Sequence, residues 1–274
     1  LLIAVGVLAS PVARAGAPAG AEKVTIRGEG GWKLDAFYVK PAAEGAGKAP
    51  AVILTHMLNR TKEDWTPLVG KLSAAGFAVV AYDMRGHGKS VDATGKPGSW
   101  KTFKAADWLA AEKDVGRVRD WLLGKKKDAV DPKRVALVGA SIGANLSLRA
   151  LAGLPEVRGA VLLSPGLDYR GVKTREVMGK LKESQLLFMY ATKDDKAAYE
   201  GTWALAKGSG NQDVAAGLQE VKTFTGSEHG TVMFTSGKNV QAVLDEILGA
   251  LGKITGPADA KPKNDVKGAL DRVL

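Results

Sequence analysis

Apolar positions along this chain follow two alternating rhythms. Short runs rich in Val, Ile, Leu and Ala recur between longer stretches where apolar residues return every three or four positions. Residues 23–27 and 34–40 alternate with period two around Gly30-Gly31 and predict a hairpin. Residues 51–55 are continuously apolar, the pattern of a strand buried on both faces. Thr61 can cap a helix reaching about Ala75, with Glu63 and Asp64 suited to its dipole and Gly76 to its stop. A strand over 77–82 ends in Asp83, a Gly-rich polar loop follows over 84–99, and a long amphipathic helix spans about 103–123. Strands at 135–138, 160–163, 186–190 and 221–225 then alternate with helices over 142–153, 196–207 and 239–254. Strands alternating with helices throughout predict one α/β domain, a parallel sheet covered on both faces and led by an antiparallel hairpin.

The two ends read differently. Residues 1–9 are unbroken apolar, followed by Ser10-Pro11 and the small-x-small triplet Ala13-Arg14-Ala15. That is the pattern of a truncated secretory signal peptide over 1–15, cleaved near Ala15. The run is shorter than the roughly 20 residues that cross a bilayer, and a buried first strand is the alternative. Residues 16–21 form a small-residue linker, the globular domain covers 22–254, and 255–274 form a polar tail. The expectation is a protein exported to the periplasm or the extracellular space, with no stable membrane anchor.

Composition removes several chemistries. The 274 residues include no cysteine, which excludes disulfides, thiolate metal sites, iron–sulfur clusters and a cysteine nucleophile. Neither metal nor cofactor is expected. Lys and Arg number 39 against 29 Asp and Glu, a net charge of +10. The basic residues are dispersed, and the tight run Lys125–Lys127 lies beside Asp128 and Asp131, so nucleic acid is not an expected partner.

Gly139-Ala140-Ser141-Ile142-Gly143 matches G-x-S-x-G, with an apolar strand running in and a helix running out. A turn that sharp strains the serine, and flanking glycines give the clearance it needs. A serine hydroxyl needs a neighbouring base to become a nucleophile. Of the three histidines, His56, His87 and His229, only His229 follows Ser141, in the loop Gly226-Ser227-Glu228-His229-Gly230. The acid that orients it should leave the carboxyl end of a strand. Asp194 and Asp195 both do so after the run 186–191, with Asp194 preferred and the other expected to cap the next helix. Asp168 is a third candidate.

GASIG at 139–143, Tyr82-Asp-Met-Arg-Gly-His-Gly-Lys-Ser90, Ala191-Thr-Lys-Asp194 and Ser227-Glu-His229-Gly together resemble the α/β-hydrolase superfamily. The likeness covers residues 22–254 and leans toward its dienelactone-hydrolase-like and serine-aminopeptidase-like branches. It implies a mostly parallel eight-stranded sheet with a triad of Ser141, Asp194 and His229. His56-Met57-Leu58-Asn59 stands where many relatives carry His-Gly-x. The implied oxyanion donors are the N–H groups of Leu58 and Ile142, and Met57 in place of glycine leaves Met57 as the alternative to Leu58. His56 would then support the loop, and His87 would be structural. The lid region, Ser164 to Gln185, is only about twenty residues, enough for one short helix. An open cleft is implied, edged by Leu58, Leu167, Tyr169 and the loop 91–100, with Trp100 either lining it or packing at a helix start. Arg170 and Lys193 are the basic residues near its mouth. The leading reading is hydrolysis of small or medium carboxylic esters through an acyl-enzyme. A peptidase or amidase, and a non-catalytic binding relative, are the alternatives. The expected partner is a small-molecule ester or amide, and no pattern points to a particular oligomeric state.

Overall fold

Strand-forming runs without a polar position can be satisfied only between two layers of helix, and that requirement organises this fold. A computed structural model describes residues 16–42, 47–207 and 218–256. The signal-peptide pattern at 1–15 and the polar tail from 257 onward lie outside the described residues. In chain order the elements are β1 (Glu22–Arg27), β2 (Lys33–Val39), β3 (Ala49–Thr55), α1 (Thr66–Ala74), β4 (Ala78–Tyr82), α2 (Ala105–Lys125), β5 (Val130–Ala140) and α3 (Ile142–Gly153). They continue with β6 (Gly159–Leu163), β7 (Asp168–Tyr169), β8 (Val172–Lys173), α4 (Arg175–Met178), β9 (Leu186–Thr192), α5 (Lys196–Ala206), β10 (Leu218–Phe224), α6 (Val232–Thr235) and α7 (Val240–Thr255).

Eight strands form one sheet in the order β1-β2-β4-β3-β5-β6-β9-β10. β2 pairs antiparallel with β1 and β4, and every pairing from β4 to β10 is parallel. Alternation along β3 sorts its side chains between two cores. Ala51 and Ile53 join Val115, Val118 and Leu122 of α2 and Leu146 and Leu148 of α3. Val52 and Leu54 face the other way, toward Leu68 and Leu72 of α1 and Val243, Ile247 and Leu251 of α7. The predicted sheet with helices on both faces is therefore present, and the predicted elements are found within a few residues of their places.

Two local differences have physical causes. The helix expected from Thr61 begins later, at Thr66, after a 3-10 turn over Lys62–Trp65. Pro67 sits in the first turn of α1, where its missing N–H costs nothing, and Asp83 takes the Lys62 N–H at 2.9 Å. Between β6 and β9 the structure holds a ribbon of β7 and β8 besides the single-turn helix α4, where one short helix was expected. Two-residue strands are too short to show a period.

The turn between β1 and β2 is tied to α2 and to the exit of β4 by one buried pair. Arg85 donates from Nε and Nη2 to the two carboxylate oxygens of Asp114, both at 2.7 Å. Arg85 is 4% exposed and Asp114 1%. Asp114 also accepts the Glu29 N–H, and Arg85 donates to the Glu29 carbonyl. Substituting Asp114→Asn should leave the guanidinium buried without its counter-charge and lower unfolding free energy by about 3–5 kcal/mol. Urea unfolding of the two proteins side by side measures this.

Candidate active site

β5 passes into α3 with a single residue between them. That residue is Ser141, at φ 53 and ψ −122. A side chain in this region costs about 1–3 kcal/mol, which surrounding contacts must offset. Two glycines make the turn possible by absence of a Cβ. One on Gly139 would stand 2.3 Å from the Gly143 carbonyl oxygen. One on Gly143 would stand 2.4 Å from the carbonyl oxygens of both Thr55 and His56. The end of β3 thus lies directly against the first turn of α3. The Ser141 N–H donates to the Leu163 carbonyl at 2.8 Å, which holds the elbow to the end of β6. Ser141 is 8% exposed and stands at the positive end of α3.

His229 follows β10 in a loop that leans on the elbow. A Cβ on Gly230 would lie 3.4 Å from that of Ala140, the residue before Ser141, and 2.6 Å from the Met57 sulfur. The Gly230 N–H donates to Ser164 Oγ at 3.0 Å, and Ser164 itself takes φ 50 at the end of β6. His229 Nδ1–H donates to Asp195 Oδ2 at 2.5 Å. Nε2 is then the ring nitrogen with a free lone pair.

Asp195, and not the preferred Asp194, is therefore the carboxylate that meets His229. The Asp194 N–H donates to the Gly226 carbonyl at 2.9 Å, so the chain is still strand-like there. Successive side chains of extended backbone point to opposite sides. Asp194 accordingly faces solvent, while Asp195 turns toward His229. Asp195 occupies the N-cap position of α5 without using its side chain to cap it. Asp168, the third candidate, accepts the Gly171 N–H at 2.7 Å and closes the ribbon turn.

His56 is fully buried and belongs to the loop after β3. Its Nδ1–H donates to the Met57 carbonyl at 2.8 Å, and its Nε2 accepts the Met84 N–H at 2.9 Å. Burial lowers its pKa to about 4, so the ring stays neutral and keeps both bonds. The Met57 carbonyl also accepts the Arg60 N–H. Because a trans peptide sets C=O and N–H on opposite sides, the Leu58 N–H points away from the His56 ring. Among the described residues, neither the Leu58 nor the Ile142 N–H has a carbonyl acceptor. This loop is joined to the loop of His229 by Thr231, which donates to Asp64 Oδ2 at 2.8 Å. Sequence reasoning missed this link and the role of Ser164, because neither residue belongs to a motif or a period.

The predicted walls are placed as follows. Tyr169 meets the His229 ring edge-on, with centroids 6.2 Å apart, and its hydroxyl donates to the Ser164 carbonyl at 3.2 Å. Burial, with a contribution from Asp195, pushes its pKa up to about 12, so it remains a donor. Leu167 is 37% exposed, one of few large apolar side chains in that state. Leu58 is half-buried. Trp100 starts a 3-10 turn ahead of α2 and stacks on His87, with centroids 5.9 Å apart, so it packs as a helix-start tryptophan. His87 is buried, with Nδ1–H donated to the Arg85 carbonyl at 3.0 Å, in keeping with a structural role. Among the described residues, no three His, Asp or Glu side chains converge as a metal site would require.

A family model described as alpha/beta hydrolase matches residues 45–228. Among curated proteins, hydrolase LUC6 of Fusarium sp is 33% identical over 152 residues, covering 53% of this chain and 34% of that protein. Hydrolase ffsE of Aspergillus flavipes is 29% identical over 167 residues, covering 57% of this chain and 31% of that protein. The chain spans about a third of the length of these curated relatives. Among solved structures, the Pyrococcus furiosus esterase Pf2001 superposes with a TM-score of 0.65 at 17% identity, over 86% of this chain and 92% of that one. Acetyl xylan esterase 1 of Thermoanaerobacterium sp. gives 0.62 at 20% identity, over 87% and 85%. At these identities the structural likeness is one of fold.

The buried histidines make stability depend on pH. Burial lowers the pKa of His56 to about 4 and that of His87 to about 3, from 6.5. Below pH 6.5 the unfolded chain takes up protons that the native rings refuse, so stability is present above pH 6.5 and falls as pH drops toward 4. Guanidinium unfolding between pH 7 and 4.5 should show this decline. His87→Phe, which keeps the ring but not the titration, should make it shallower.

Proposed function

We propose that this chain, which belongs to the alpha/beta hydrolase family, is a serine hydrolase that cleaves small or medium carboxylic esters through an acyl-enzyme. The observation that carries the reading is the pairing of His229 with Asp195, together with a serine held at positive φ in the turn against which Gly230 packs. Ser141 Oγ attacks the ester carbonyl while His229 Nε2 accepts its proton. Asp195 holds the imidazole by Nδ1 and stabilises the cation that forms. The tetrahedral oxyanion is received by the N–H groups of Ile142 and Leu58, donors without carbonyl partners among the described residues. His229 then protonates the departing alkoxide, and water attacks the acyl-serine by the same route in reverse. Leu58, Leu167 and Tyr169 form the walls that the substrate meets.

The short span between β6 and β9 supports an open cleft over a capped tunnel, and with it substrates of modest size. The esterases of similar fold support ester over amide chemistry. The N-terminal pattern adds export to the proposal.

The test is intact mass after exposure to a fluorophosphonate. Wild type should gain one adduct and Ser141→Ala none. Absence of an adduct on folded protein would replace this reading with a binding role. On 4-nitrophenyl butyrate, Asp195→Asn should lower kcat by up to about 10⁴-fold by imposing the wrong imidazole tautomer. Asp194→Asn should stay within about twofold of wild type, since a surface carboxylate with no polar partner in the site contributes little.

A further inference from the structure

We infer that Ser164 is a positioning residue, one that fixes where His229 stands relative to Ser141. The inference rests on the serine-hydrolase reading and adds to it a residue outside Ser141, Asp195 and His229.

β5 and β6 are parallel neighbours, with Ala140 opposite Leu163, and each is followed by a serine at positive φ. Ser141 takes φ 53 and Ser164 φ 50. Among the described residues, the other non-glycine positions in this region of φ are Asn59 and Arg170, both exposed, whereas Ser164 is fully buried. Glycine would take such a φ without strain. A serine there is held by the contacts that its own atoms make.

All three polar groups of Ser164 are engaged, and each leads to a different part of the site. Its N–H donates to the Tyr190 carbonyl at 2.7 Å, on β9, the strand that runs out toward Asp195. Its carbonyl accepts the hydroxyl of Tyr169, whose ring meets His229 edge-on. Its Oγ accepts the Gly230 N–H at 3.0 Å and donates to the Met233 sulfur at 3.6 Å. Both Oγ contacts lie in the segment after β10, and neither glycine nor alanine could supply them.

These bonds join Ser141 to His229 by a short path. The Leu163 carbonyl, in the same peptide group as the Ser164 N–H, accepts the Ser141 N–H at 2.8 Å. At the other end, the Gly230 N–H belongs to the peptide that follows His229. The carbonyl of that peptide accepts the Val232 N–H at 3.1 Å, so the peptide is held on both sides. Asp195 holds the Nδ1 end of the imidazole and sets the rotation of the ring. Ser164 sets the backbone from which the ring projects, and refers it to the backbone of Ser141.

Ser164→Gly tests this, because it relieves the φ while removing the Oγ. Strain released and bond lost oppose one another, so the melting temperature should stay within about 5 °C of wild type. On 4-nitrophenyl butyrate, kcat should fall by about 10- to 100-fold, the scale that misplacing a reacting group costs, with KM within about threefold. Ser164→Ala keeps the positive φ, and should lose as much kcat and melt lower. Met233→Leu removes only the weak sulfur acceptor and should keep kcat within about twofold. A readout independent of turnover is the far-downfield proton resonance of the His229–Asp195 bond, which should broaden or vanish in Ser164→Gly. Should Ser164→Gly fail to fold, Ser164→Ala is read by the same two measurements. Wild-type kcat or an unchanged resonance in the variant overturns the inference, as does an effect confined to the melting temperature. A Met233→Leu loss as large as that of Ser164→Gly assigns the effect to packing and overturns it too. Fluorophosphonate labelling of wild-type Ser141 distinguishes the failures. A labelled enzyme indifferent to Ser164→Gly leaves the hydrolase and removes the Ser164 role, whereas no labelling removes the hydrolase itself.

Discussion

Everything around the candidate site depends on how closely three pieces of backbone approach at Gly139, Ser141 and Gly143. β5 must turn into α3 within one residue, and the end of β3 must lie against that turn with its carbonyls 2.4 Å from where a Cβ on Gly143 would stand. Of these three residues only Ser141 carries a side chain, and it is held at positive φ. Its strain is offset by the parallel pairing of β3, β5 and β6 on either side and by its N–H bond to Leu163. The same closeness that strains the serine also brings the loop after β3 to the positive end of α3.

The loops that surround this turn are held by polar contacts that are individually modest and mutually dependent. His56, kept neutral by burial, orients the Met57 peptide and bonds to the exit of β4. Ser164 receives the Gly230 N–H and fixes the base loop to the end of β6. Thr231 reaches across to Asp64 and sets the base loop against the loop after β3, with the Met57 sulfur filling the space between. Preorganisation of this kind lets donors meet a developing charge without first moving. The Met57 side chain packs against the core that holds α1 and α7 and against Gly230 in the loop of His229.

The short segment between β6 and β9 lies against His229 and α3. It holds a ribbon of four paired residues and one helical turn, with Tyr169 against His229 and Arg170 over Trp100. Asn145 and Arg149, on the helix that begins after Ser141, hold the ribbon through its backbone carbonyls. The ribbon and the turn at Ser141 are therefore joined through α3.

Much of this was legible in residue order alone, because periodicity and motif spacing are local quantities. Continuous apolar runs determined the buried strands, the G-x-S-x-G turn marked Ser141, and His229 stood out as the sole histidine beyond it. Adjacent Asp194 and Asp195 could not be separated that way, since both satisfy the same spacing. Their choice depended on which side of an extended backbone faces the loop of His229, a matter of sheet register. The Thr231–Asp64 bond spans 167 positions and belongs to no pattern. The stack of Arg170, Trp100 and His87 joins residues from three separate loops. Local propensity determined the elements and the sharp turn at Ser141. Only tertiary packing decided which polar side chains meet, because that depends on long-range approach of loops whose own sequences carry no period.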